Sequence, residues 1–255
     1  MTADRQGASP TLAMLPDGFP PGEALYVVFA SAFVVVLVLT NVIGVKLFNA
    51  FPETFPEGFF GSPLTLTSGI VTYPVTFLLT DVVSEIWGKR RADFMVVVGF
   101  FASLAMLGLV QFTVGLSGSP IWINKGLGFT SVQEMQTAFE SVFTLPGTLV
   151  IGSMTAYLVA QLLDVRLYHF FRRLTAGKHL WLRNNGSTWV SQFVDTIIVN
   201  SIFLGIGLGI PWGVVMEIII TVYVFKVILA ALDTPLIYLF VSVLRRHLNL
   251  PPAEA

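Results

Sequence analysis

Apolar residues fall into six blocks along the chain, about Leu25–Phe48, Leu64–Trp87, Phe94–Leu116, Leu145–Phe170, Thr188–Ile210 and Val214–Leu244. Each has the length of about 20 residues that a helix, rising ~1.5 Å per residue, needs to cross a hydrocarbon core of roughly 30 Å. The breaks carry turn chemistry: FPETFPEGFFGSP is rich in Pro and Gly, GKRRAD is charged, and GIPWG makes a tight link. The only long break on the outer side lies between blocks three and four. There Ser131 followed by Glu134 forms a capping box, and Val132, Met135, Phe139 and Val142 recur at helical spacing. An interfacial helix lying on the outer surface accounts for this pattern; a gate over a substrate entrance is the sharper alternative. The pattern predicts an all-α, polytopic integral membrane protein with six transmembrane helices.

Charge then orients the spans. With the N-terminus inside, the cytoplasmic segments hold Arg5; Lys89, Arg90 and Arg91; Arg166, Arg172, Arg173, Lys178 and Arg183; and Arg245 and Arg246. The external loops hold Lys125 alone, with Lys46 and Lys226 placed inside spans. This excess of basic residues on one side predicts both termini in the cytoplasm. Residues 1–24 are expected to form a disordered cytoplasmic tail, 25–245 the six-helix domain with an external amphipathic loop at about 117–144, and 246–255 a cytoplasmic C-terminal tail.

Composition narrows the class. Of 255 residues 55% are hydrophobic and only 11% charged, with a mean hydropathy of +0.79. A soluble domain carries about a quarter of its residues charged. A net charge of −1 offers no field for nucleic acid. The absence of cysteine excludes disulfides and thiolate chemistry. His169, His179 and His247 all fall in cytoplasmic segments, and no Gly-rich phosphate loop is present, so neither an enzyme, a metal site nor a cofactor is expected. Membrane lipids are the certain partners, and the exposed apolar faces admit a homodimer.

The informative residues are the polar ones inside the spans, each costing roughly 2.5–3.5 kcal/mol if ionised at mid-bilayer. Asp81 and Glu85 share a face of span two; Gln161 and Asp164 lie in span four; Gln192, Asp195 and Asn200 in span five; Glu217, Lys226 and Asp233 in span six. If span five starts at Thr188, Asp81 and Asp195 each lie about 10 Å inside the cytoplasmic end of their helix. That arrangement predicts a carboxylate layer in the inner half with Lys226 above it. Such groups lock helices together or line a hydrated cavity, and several carboxylates against one lysine favour a cavity whose ligand completes the pairing. Pro74 and Gly69 in span two, Pro63 before it and Pro235 after Asp233 add helix breaks of the kind that line transporter sites. Gly205 and Gly209 read as a close helix contact. Tyr73, Phe77 and Trp189 are placed to stack on a planar ligand. The carboxylates suit substrate contact and proton coupling equally.

At these residues the chain resembles a known family. FLLTDVVSEIWGKRRAD, GSMTAYLVAQLLDVRLYHFFRRL, WLRNNGSTWVSQFVDTIIV and VYVFKVILAALDTPLIY are similar, in this order, to motifs of the queuosine precursor transporter family, also called the vitamin uptake transporter family. Asn41, Val42, Ile43 and Lys46 fit its first span loosely, and the resemblance covers roughly 25–245. The chain departs from it in a longer loop between spans three and four and in Ala160, where the family has Gly. The resemblance implies import, across the bacterial cytoplasmic (inner) membrane, of 7-deazaguanine bases such as 7-cyano-7-deazaguanine and 7-aminomethyl-7-deazaguanine for tRNA queuosine synthesis. It implies a pathway lined by Asp81, Glu85, Gln161, Asp164, Gln192, Asp195, Asn200, Lys226 and Asp233, with Tyr73 and Phe77 as stacking faces. In that reading carboxylates accept from the base edge, and Lys226 holds one of them ionised or contacts the base carbonyl. The alternative is the substrate-binding subunit of an energy-coupling-factor vitamin importer, which works with ATPase partners.

Overall fold

The computed structural model describes residues 20–44, 46–54, 64–144 and 147–251. Most of both tails, including Arg5, and much of the Pro/Gly-rich stretch with Pro63 lie outside these residues. The helices are α1 (Pro21–Ile43), α2 (Tyr73–Ile86), α3 (Lys89–Val114), α4 (Val132–Phe143), α5 (Gly147–Leu174), α6 (Leu180–Asn200) and α7 (Trp212–His247). Among the described residues six helical segments are long and apolar enough to cross a membrane, with α2 qualifying together with the turn before it and α5 counted together with α4. α4 is the helix in the segment between spans three and four. Its N-cap is the predicted one: Glu134 N donates to Ser131 Oγ at 3.2 Å, while the Glu134 carboxylate accepts from Thr130 N at 2.7 Å.

The first departure from the sequence pattern lies between α1 and α2. The apolar block expected to run helically to Phe48 stops at Ile43. A short antiparallel hairpin follows, β1 (Leu47–Ala50) on β2 (Leu64–Thr67), with Phe48 opposite Leu66. A 3-10 turn over Ser68–Val71 then leads into α2. Lys46 therefore lies outside α1, its carbonyl accepting from Ser68 N at 2.8 Å. Ala50, Leu64, Leu66 and Ile70 are buried, packed against Val222, Phe225 and Leu229 of α7. Those α7 residues lie ~15–26 Å along their helix from Trp212, so the hairpin folds back to membrane depth. Non-helical backbone is stable there only when protein covers it, as here. Gly69 permits the fold-back: a Cβ on it would meet Thr40 O and Thr40 Cγ2 at 3.3 Å, and the Gly44 Cα at 3.5 Å.

Pro74 consequently does not kink a long helix. It sits in the first turn of α2, where its missing N–H costs nothing. α2 spans only 14 residues, or ~21 Å. It is the most enclosed span, flanked by α1, α3, α5 and α7, and every residue from Thr76 to Glu85 is buried. Its polar positions form one stripe, Thr76, Thr80, Asp81, Ser84 and Glu85, which apolar lipid could not accommodate.

α6 is the second departure. It begins at Leu180, not Thr188, and carries Arg183, Asn184 and Asn185 into the bundle. Beyond Asn200 it continues as a π-helical turn, Ser201–Gly207. Gly205 packs against the Trp212 ring, which a Cβ would meet at 2.7 Å, whereas Gly209 makes the link to α7 with φ +65° instead of a helix contact. α5 and α6 form the most extensive helix pair. α7 stays helical through Pro235.

Candidate functional site

The buried polar groups separate into three levels rather than one layer, because the early start of α6 sets Asp195 fifteen residues past Leu180, about 22 Å along the helix.

The level nearest the ends of α2, α5 and α7 is an ion cluster around Glu85. Its Oε1 accepts from Arg183 Nη2 at 3.0 Å and Arg245 Nη2 at 2.6 Å; its Oε2 accepts from Tyr168 Oη at 2.9 Å. The Arg172 guanidinium stands 4.0 Å away. Arg183 is only 1% exposed and also donates to the Gly177 carbonyl at 2.6 Å. One carboxylate thus ties α2, α5, α6 and α7 together. The sequence grouped Glu85 with Asp81; the geometry gives it saturated partners and leaves it outside the cleft described below.

At the second level Asp81 and Asp164, 1% and 0% exposed, face each other from α2 and α5. Asp164 Oδ1 accepts from Ser191 Oγ at 2.8 Å; neither Asp81 oxygen meets a donor among the described residues. Thr80 Oγ1 donates to Gln161 Oε1 at 3.4 Å, leaving the Gln161 amide nitrogen without a partner. Two acceptor-only carboxyls in contact need a hydrogen between them or a donor from outside.

The third level is a narrow cleft of about 20 Å³ between α2, α6 and α7, lined by Tyr73, Phe77, Thr188, Gln192, Lys226 and Asp233 among others. That space holds about one water molecule, far below the roughly 300–1,000 Å³ of occupied small-molecule sites, so the cleft is closed in this conformation and a ligand enters only as the helices part. Ile70 and Pro74 also line it, so the irregular backbone before α2 forms part of its wall. Lys226 Nζ donates to Asp195 Oδ2 at 2.6 Å and sits 4.5 Å from the Tyr73 ring centroid. Tyr73 and Phe77 form a tilted pair with centroids 5.2 Å apart. The Tyr73 hydroxyl lies beside Gln192 and Asp195, but neither it nor either polar atom of Gln192 forms a well-shaped hydrogen bond, and Asp233 makes no ion pair or hydrogen bond among the described residues. Aromatic faces, an amide offering both donor and acceptor, and one free carboxyl converge on one slot.

The remaining candidates lie elsewhere. Asn200 donates back to the Thr196 carbonyl at 2.7 Å within α6 and does not line the cleft. Trp189 is 37% exposed and Glu217 is exposed on α7. A wider depression over α4 is open to solvent, and its one ionisable lining residue, Glu134, already caps its helix. Sequence reasoning missed Thr188 as a wall residue and Arg183 and Asn185 as buried groups; Asn185 Nδ2 donates to Thr234 Oγ1 at 2.7 Å. The signal was present. Arg183, Ser187, Ser191 and Asp195 recur every fourth residue, a polar stripe that continues the helix upstream of Thr188.

Six spans, a mainly apolar cleft bearing Gln192, Lys226 and Asp233, and a re-entrant segment in its wall are the features of a helical membrane transporter. The chain belongs to the putative vitamin uptake transporter family, whose profile matches residues 67–240. It is 34% identical over 177 residues to a protein of Bacillus subtilis (strain 168) named "Probable queuosine precursor transporter", covering 69% of this chain and 71% of that protein. A protein of Haemophilus influenzae with the same name is 30% identical over 136 residues, covering 53% of this chain and 51% of the relative. No solved structure matches.

Proposed function

We propose that this chain is a secondary transporter that imports queuosine precursors, 7-deazaguanine bases such as the 7-cyano and 7-aminomethyl forms, for tRNA queuosine synthesis. It works in the bacterial cytoplasmic membrane with both termini inside, and the bases cross without covalent change. The observation that carries the reading is the α2–α6–α7 cleft. Tyr73 and Phe77 offer ring faces at its wall, and Gln192 offers an unsatisfied amide. A deazaguanine presents a flat face for such stacking and an edge with N–H donors and a carbonyl acceptor. The names of the two relatives supply the substrate class.

In this reading the base enters against Tyr73 and Phe77, and the ion pair Lys226–Asp195 fixes the floor of the slot. Asp81, Asp164 and Gln161, each with at least one buried polar atom that lacks a partner, accept from and donate to the base edge as it moves inward. Glu85 and its arginines close the path at the cytoplasmic end.

Expression in a bacterium unable to make the deazaguanine base, supplied with each base in the medium, tests this. Restored queuosine in tRNA with this chain alone is expected. Restoration only with added ATPase partners would replace the reading by the energy-coupling-factor alternative. Binding that persists unchanged in Asp81→Ala and Asp195→Ala variants would remove these residues from the path.

A further inference from the structure

The charges at the cleft do not balance. Its lining holds one basic and one acidic side chain, Lys226 and Asp233. The Lys226 ammonium is already matched, by Asp195 at 2.6 Å and by the face of Tyr73 at 4.5 Å. Asp233 is seven residues further along the same helix, ~10 Å away, and makes no ion pair or hydrogen bond among the described residues. The other carboxyls of the bundle do not compensate. Asp81 and Asp164 are fully buried on the α2–α5 side, and Glu85 is saturated by arginine. One acidic group therefore faces the slot in excess, at a depth where an unmatched charge is costly and a cation relieves it.

We infer that the cleft is built for a planar ligand carrying one positive charge, with its ammonium on Asp233, its ring on Tyr73 and Phe77, and its polar edge on Gln192. This rests on the transport reading above and selects within it. The aminomethyl base is a primary amine, protonated near neutral pH as a lysine side chain is, whereas the cyano base is neutral. Asp233 is then the residue that sets which precursor is preferred.

The test is uptake of labelled 7-aminomethyl and 7-cyano bases, each measured for kcat/KM, in cells expressing the full chain as wild type, Asp233→Asn or Asp233→Glu. The wild type is expected to favour the aminomethyl base by about tenfold or more, the scale of one charge-assisted hydrogen bond. Asp233→Asn lowers the aminomethyl-to-cyano ratio by a similar factor, and Asp233→Glu restores most of it. Parity or a cyano preference in the wild type overturns the inference without needing any variant. So does a loss in Asp233→Asn that is equal for the two bases. Both of those results leave transport standing; uptake of neither base by wild-type protein that reaches the membrane removes the transport reading and the inference together.

Discussion

Glu85→Gln removes one negative charge from a site where it is held by Arg183 at 3.0 Å and Arg245 at 2.6 Å, with Tyr168 donating at 2.9 Å. The Glu85 and Arg183 side chains are each 1% exposed, so water cannot take over from the lost carboxylate. Removing one partner of such a buried pair costs about 3–5 kcal/mol, because the remaining charge is left uncompensated. In a chain of this size that corresponds to a fall in Tm on the order of 10 °C. Thermal unfolding of detergent-purified protein, followed by tryptophan fluorescence, measures it. Pairing the substitution with Arg183→Gln removes one of the orphaned guanidiniums and is expected to recover part of the loss. Substrate affinity of the folded fraction should stay near wild type, since Glu85 does not line the cleft. A Glu85→Gln variant with unaltered Tm but abolished binding would refute this assignment and return Glu85 to the substrate path.

The Lys226–Asp195 pair makes a parallel case: Lys226→Met alone should destabilise by about 3 kcal/mol, while Lys226→Met with Asp195→Asn should regain most of that in the same melt. Uptake should remain low in the double variant, because the slot has lost its charged floor. Ser131→Ala deletes the α4 cap and should cost about 1 kcal/mol of local stability, read as faster amide exchange in 132–143. Uptake that stays normal supports an interfacial helix, whereas a clear loss of transport would make α4 a gate. The lack of native cysteine makes topology direct to test. A cysteine at exposed Ser141 should react with an impermeant maleimide in intact cells, and one at exposed Lys178 only after permeabilisation; the reverse would invert the orientation.

Apolar block length made the six spans legible, since no other element buries twenty apolar residues in lipid. The same signal misled between Ile43 and Tyr73. LFNA and LTLT are apolar enough to extend the neighbouring helices, and only their pairing across a long gap makes them strands. Pro74 was read as a break, and the break is real, but it falls before the helix, where the 3-10 turn ends. Arg183 was counted among the basic residues of a cytoplasmic loop, and Asn185 fell before the expected start of span five at Thr188. Their partners, Glu85 and Thr234, are 98 and 49 residues away, a coincidence in space that periodicity alone does not report. The candidate site was legible as a set of residues and not as an arrangement. Tyr73, Phe77, Gln192, Lys226 and Asp233 lie around one cleft, which Asn200 does not line.

The central claim is that this chain, unaided, moves a deazaguanine base through the α2–α6–α7 cleft. Purified protein reconstituted into lipid vesicles, offered labelled base outside, tests it most directly. Saturable accumulation of label in the vesicle lumen is expected, inhibited by excess unlabelled base and strongly reduced by Tyr73→Ala with Gln192→Ala. Accumulation that appears only when ATPase subunits and ATP are supplied, or that is indifferent to both substitutions, would contradict it.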